Sequence, residues 1–108
     1  MDNITFEEFK KMELRIARIL EVLDHPNADK LYVMKIDLGT ETRQLVAGIK
    51  PWYKKEELVG RDIVVIANLE PRVIRGMESK GMLLAAQDEA GVCVIVPGKP
   101  AKPGSAVS

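Results

Sequence analysis

Apolar and polar residues alternate with period two over much of this chain, the pattern of strands that turn one face toward a core. Between Glu13 and Leu23, Leu14, Ile16, Leu20 and Val22 fall on one face, and Arg15 and Glu21 on the other. Arg18 interrupts the apolar face and Ile19 sits on the polar one, which predicts a bulge or strong bend around Ala17 and Arg18. Asp24-His25-Pro26-Asn27 supplies turn chemistry. A second strand is expected from Leu31 to Leu38, ended by Gly39, and a third from Arg43 to Ala47, ended by Gly48 and Pro51. Asp62 to Ala67 is a nearly continuous apolar run, expected as a strand buried on both faces. Asn68 to Lys80 is polar and carries Pro71 and Gly76, so it reads as an irregular loop. Met82 to Ala86 then reads as another buried strand, Asp88 to Gly91 as a turn and Val92 to Val96 as the next strand.

Helical signals are short. Thr5 and Glu8 have capping-box spacing, and Ile4 and Phe9 hydrophobic-staple spacing, which predicts a helix over Thr5–Lys11. So short a helix must pack on something to persist. Lys54 to Leu58 are good helix formers and predict one further turn. The tail, with Pro97, Pro100 and Pro103, should run extended over the surface and pair briefly near Ala106 and Val107. The order fits an all-β fold in one domain over residues 1–108: a five-stranded OB-type barrel with a short N-terminal helix, a helical turn between strands 3 and 4, and a C-terminal extension. On the pattern alone, an SH3-like barrel or another small β-roll fits almost as well.

Composition narrows the chemistry. Sixteen basic and sixteen acidic side chains in 108 residues cancel, so the chain is no polycation, and any nucleic-acid contact must come from a local patch. No apolar stretch approaches the ~18 residues of a membrane-spanning helix. The opening Met1–Thr5 has neither the basic nor the apolar region of a signal peptide, and the lone Cys93 forms no internal disulfide, so a cytoplasmic setting is expected. His25, the one histidine, lies beside Pro26 and reads as a turn-stabilising side chain, not a catalyst. Cys93 alternates with Val92 and Val94 and reads as a buried, inert thiol. One His and one Cys build no ordinary zinc site, Asp24, Asp29 and Asp37 lack EF-hand spacing, and no phosphate-loop or dinucleotide fingerprint is present. Neither an enzyme nor a cofactor is expected.

Binding chemistry concentrates in Asn68–Met82. Arg72 and Arg75 carry forked donors suited to phosphate, Lys80 adds charge, Asn68 and Ser79 add neutral donors and acceptors, and Gly76 and Gly81 permit close backbone approach. The plain alternative is a solvated loop whose arginines pair with Glu70 and Glu78. Lys50, Lys54 and Lys55 around Trp52 and Tyr53 read as a solvated face, and Trp52 either stacks on a base or plugs the barrel. Lys30, just ahead of Tyr32, is a further backbone-contact candidate. General single-strand binders use stacking platforms worth ~1–3 kcal/mol per base. With one Trp, two Tyr and two Phe, recognition of a folded RNA by phosphate and shape fits this chain better.

Several blocks occur in one order: Leu14-Arg15-Ile16-Ala17-Arg18, His25-Pro26-Asn27-Ala28-Asp29-Lys30-Leu31-Tyr32, Arg43-Gln44-Leu45-Val46-Ala47-Gly48, Ala67-Asn68-Leu69-Glu70-Pro71-Arg72 and Ser79-Lys80-Gly81-Met82-Leu83-Leu84-Ala85-Ala86. Together they resemble the tRNA-binding OB-domain family, found at the C-terminus of methionyl-tRNA synthetases, as a free synthetase β chain or stand-alone tRNA-binding protein, and in endothelial monocyte-activating polypeptide II. The resemblance implies an OB barrel, a homodimer, and structure-selective tRNA binding that assists a synthetase, its catalytic chain a possible partner, without chemistry of its own. It points to Lys30, Asn68, Arg72, Arg75, Ser79 and Met82 as tRNA-facing, with Arg43 and Lys80 as secondary candidates. Two positions depart from the family: Ala17 stands where glycine is common, and Glu70 where a basic residue is usual. A related branch, export-associated chaperones that bind unfolded polypeptide, lacks the signature carried by residues 79–86.

Overall fold

The structure is a computed structural model and describes all residues, Met1–Ser108. In chain order its elements are α1 (Phe6–Lys10), β1 (Leu14–Asp24), β2 (Tyr32–Asp37), β3 (Thr42–Ala47), α2 (Lys55–Leu58), β4 (Asp62–Ile66), β5 (Arg72–Ile74), β6 (Met77–Ser79), β7 (Met82–Leu83), β8 (Ala85–Asp88), β9 (Gly91–Val94) and β10 (Ala106–Val107). The longest strand, β1, organises them. Its first half pairs with β4, from Leu14 opposite Ile66 to Arg18 opposite Asp62, and its second half with β2, from Arg18 opposite Asp37 to Asp24 opposite Tyr32. With β3 on β2 and β7 on β4, the order β3-β2-β1-β4-β7 curls into the nearly closed barrel of an OB fold.

β1 can serve two partners because it bends, but not where the residue pattern placed the bend. The register shifts between Ile19 and Glu21, so Leu20 is the extra residue. Ala17 and Ile19 point into the core before the shift and Val22 after it, while Leu20 is 43% exposed. The apolar face expected for β1 is therefore out of phase up to the bulge and in phase at Val22. Ile16 is buried on the outer face instead, where the tail covers it: its N–H donates to Ser105 C=O (2.9 Å), and its C=O accepts from Gly104 N–H (2.7 Å). Gly104 is required there, since it has φ +88° and a Cβ would lie 2.4 Å from the Leu38 carbonyl oxygen.

The core centres on Ile19, Met34, Ile36, Leu45, Ile63 and Val65, with Leu58 of α2 closing one end. Removing each such side chain from water contributes ~1.5–3 kcal/mol. β4 is buried on both faces from Ile63 to Ile66, as its apolar run predicts. Tyr32 Oη donates to Tyr53 C=O (2.7 Å), and Tyr53 Oη accepts from Val94 N–H (2.9 Å), pinning the segment after β3 to β9. Trp52 neither plugs the barrel nor lies free: it covers Gly91, where a Cβ would stand 2.2 Å from the indole nitrogen. The capping box is formed, Thr5 Oγ1 accepting from Glu8 N–H and a Glu8 carboxylate oxygen accepting from Thr5 N–H, both at 3.1 Å. Even so, α1 buries no residue.

Three further expectations are corrected. Asn68–Lys80 is no irregular loop, because β5 and β6 form a hairpin with Ile74 opposite Met77. Its two-residue turn, Arg75-Gly76, has φ of 53° and 91°, the positive pair that a primed hairpin turn requires. Arginine is an unusual choice there, so residue type did not announce the turn. The buried strand expected over Met82–Ala86 splits in two: after Leu84, the chain leaves β4 and pairs with β9 as a hairpin whose first strand, β8, is exposed throughout. Ala85, Ala86, Gln87 and Asp88 carry too little apolar area to hold it against the barrel. Cys93 is exposed, since alternation within β9 turns it opposite to the buried Val94.

Candidate nucleic-acid interface

The β5–β6 hairpin carries three of the candidate residues, Arg72 and Ser79 on its strands and Arg75 in its turn. Arg72 lies opposite Ser79 on one face of it, while Val73 and Glu78 face outward on the other. Its tip is held by the turn that follows β1. His25 is buried, its Nδ1 accepting from Asn27 N–H and its Nε2–H donating to Ile74 C=O, each at 2.9 Å. Accepting at Nδ1 leaves the proton on Nε2, so the neutral tautomer satisfies both partners. Asn27 Nδ2 donates to Arg75 C=O (3.3 Å). The turn that carries Lys30 is thereby tied to the turn that carries Arg75. His25 is a structural clamp, as the sequence suggested, but its target and the part played by Asn27 were not foreseen.

The candidates divide into two groups. Lys30, Arg72 and Arg75 are exposed and make no ion pair, and Met82 is 43% exposed. Lys80 is exposed, with only a loose contact to Glu78 (3.8 Å). Neither Glu70 nor Glu78 neutralises the two arginines, as the solvated-loop alternative would require. The other candidates are occupied with the fold. Ser79 is buried, its hydroxyl accepting from Val46 N–H and donating to Gly81 C=O, both at 3.0 Å. Asn68 Oδ1 accepts from Glu13 N–H (2.8 Å) and its Nδ2 donates to Lys11 C=O (2.7 Å), fastening the segment after β4 to the end of α1. Arg43 bonds Glu41 and the Ala67 carbonyl. These three hold the backbone in place, and four cations with one thioether face solvent around it.

Elsewhere the ionic pairing is local. Asp24 accepts from Lys50 (3.0 Å) and Lys55 (3.2 Å), and these hydrogen bonds hold its carboxyl below the usual carboxylate range. The Lys50–Lys55 cluster is thus partly neutralised, consistent with a solvated face. No group of His, Cys, Asp and Glu side chains is arranged to hold a metal ion, and no helix is long and apolar enough to cross a membrane.

Comparison with known proteins identifies the family. The family described as "Putative tRNA binding domain" matches residues 14–106. The chain is 56% identical over 107 residues to a methionine–tRNA ligase of Thermococcus kodakarensis, covering 99% of this chain and 14% of the ligase. It is 58% identical over 107 residues to that of Pyrococcus furiosus, covering 99% of this chain and 15% of the ligase. The chain thus spans about one seventh of the curated relatives it matches. Among solved structures, a methionyl-tRNA-synthetase-related protein of Pyrococcus horikoshii superposes with a TM-score of 0.93 at 30% identity, both chains covered fully. The CsaA chaperone of Picrophilus torridus superposes with a TM-score of 0.91 at 31% identity, over 98% of this chain and 100% of that one.

Proposed function

Because this chain belongs to the tRNA-binding domain family, we propose that it is a non-catalytic module that holds tRNA for a methionyl-tRNA synthetase in the cytoplasm. The observation that carries the reading is the set of unpaired cations, Lys30 and Arg75 on two turns tied together by His25 and Asn27, and Arg72 on β5 of the same hairpin. A backbone fixed this way does not have to be ordered when phosphates bind, which lowers the entropic cost of binding. Lys80 and Met82 extend the surface, while Ser79, Asn68 and Arg43 set its shape from behind. Geometry that is fixed on one face suits a folded RNA better than a flexible strand.

The module acts as a pair. Phe6, Phe9, Met12, Leu14 and Val107 line a groove of about 270 Å³ between α1 and β10, and α1 buries nothing within its own chain. A second copy supplies the missing apolar cover. Likeness to the CsaA chaperone favours one rival reading, capture of unfolded polypeptide. A gel-shift comparison of folded tRNA, unfolded RNA and a denatured protein client separates the two. Binding of folded tRNA first, weakened in Arg72→Ala with a salt slope flatter by up to ~1, supports the tRNA reading. Preference for the client with no tRNA shift overturns it.

A further inference from the structure

The barrel wall is incomplete beside the hairpin. Cross-links from β3 to the β6–β7 segment cluster at Gln44 and Val46, where Lys80 N–H donates to Gln44 C=O (2.9 Å) and Ser79 Oγ accepts from Val46 N–H (3.0 Å). Beyond Val46 the wall parts into a slot of about 220 Å³. Ile49, Ile74 and Leu83 form its apolar floor, and Leu69 and Met82, both more than one-third exposed, its lips. Gly48 is among its lining residues, and no protein group is hydrogen-bonded to the Gly48 main chain. Arg72 and Glu70, both exposed, also line the slot, neither with an ion-pair partner.

Pockets for drug-sized ligands run to ~300–1,000 Å³, so this slot takes something smaller. Its surroundings carry Arg72 at the mouth and Arg75 on the same hairpin, which favours an anionic polymer. Glu70 repels phosphate, yet a carboxylate readily accepts from an exocyclic amine such as cytosine N4. Resting on the tRNA-binding reading, we propose that this slot receives one unstacked nucleobase bearing an exocyclic amino group. Glu70 accepts from the amine, Gly48 meets the ring edge, Leu69 and Met82 cover the ring faces, and Arg72 stays with the adjoining phosphate. Uracil, which offers a carbonyl in place of that amine, sets an acceptor against an acceptor and is disfavoured.

Two measurements test this. Titrating the ¹⁵N-labelled wild-type chain with cytidine or uridine monophosphate should move the amide signals of Gly48, Leu69, Met82 and Leu83, cytidine acting at several-fold lower concentration. In gel shifts with tRNA, Glu70→Ala should weaken binding about tenfold, the scale of one base contact, with the salt slope unchanged. Simple charge repulsion predicts the opposite sign, because removing a carboxylate would then tighten binding. A silent titration, equal response to both nucleotides, movement of these signals by an apolar peptide alone, or tighter tRNA binding by Glu70→Ala overturns the slot while the tRNA reading stands. Failure of the wild-type chain to shift tRNA at all overturns the reading itself, and the nucleotide titration still judges the slot.

Discussion

Arg75 combines an unfavourable backbone with a useful position. A non-glycine residue at positive φ costs roughly 1–2 kcal/mol, and asparagine tolerates that region far better than arginine. Arg75→Asn should therefore stabilise the chain by up to ~1 kcal/mol in urea denaturation while weakening tRNA binding in a gel shift. Stability and function moving in opposite directions would mark Arg75 as kept for its charge. Asp24 gives a second test, of pH dependence. Because Lys50 and Lys55 depress its pKa in the folded state, its contribution to stability is fully present above the ordinary carboxylate value. It is lost as pH falls below ~4 and through the depressed value. Asp24→Asn should lower the urea midpoint slightly at neutral pH and leave it unchanged in strong acid. The site is exposed, so the effect is small.

At the level of elements, two cross-braces hold the barrel together. The buried Ser79 hydroxyl joins β3 to the β6–β7 turn. Ser79→Ala leaves the Val46 N–H and the Gly81 C=O without that partner and should cost about 1–3 kcal/mol by chemical denaturation. If that brace also shapes the tRNA surface, binding should weaken although Ser79 offers no group of its own. The second brace is the tail, laid over Ile16 through Gly104. Gly104→Ala meets the Leu38 carbonyl at 2.4 Å and an unfavourable φ together. Release of β10 from β1 is the expected outcome, read as faster amide exchange at Leu14, Ile16 and Val107.

For the whole molecule, zero net charge sets the mode of binding. Without a bulk positive field, affinity rests on a few placed cations and should be modest and salt-sensitive. Pairing two copies would double that patch, and a second engagement on the same RNA adds avidity only if the geometry lets both reach. Phe6 is 70% exposed in the single chain. Phe6→Asp should yield monomers in sedimentation at micromolar concentration and lower tRNA affinity by about tenfold or more. A monomeric wild-type chain would refute the pairing.

Local and periodic features were legible from residue order alone: the Thr5–Glu8 cap, the doubly buried β4, the tail's brief pairing and the order of elements that spells an OB barrel. Each depends on neighbours in sequence or on a period of two. Residue type and family resemblance singled out the segment that bears Arg72 and Arg75 as the candidate interface. Tertiary structure alone decided the bulge at Leu20, the escape of β8 from the barrel and the hairpin turn at Arg75-Gly76. It also divided the candidates, spending Ser79, Asn68 and Arg43 on the fold and leaving Lys30, Arg72 and Arg75 unpaired. The physical reason is that a polar side chain's availability depends on which backbone groups reach it. The Val46 N–H that Ser79 receives lies 33 residues away, and the two partners of Asn68 lie 55 and 57 away, beyond the reach of any local pattern.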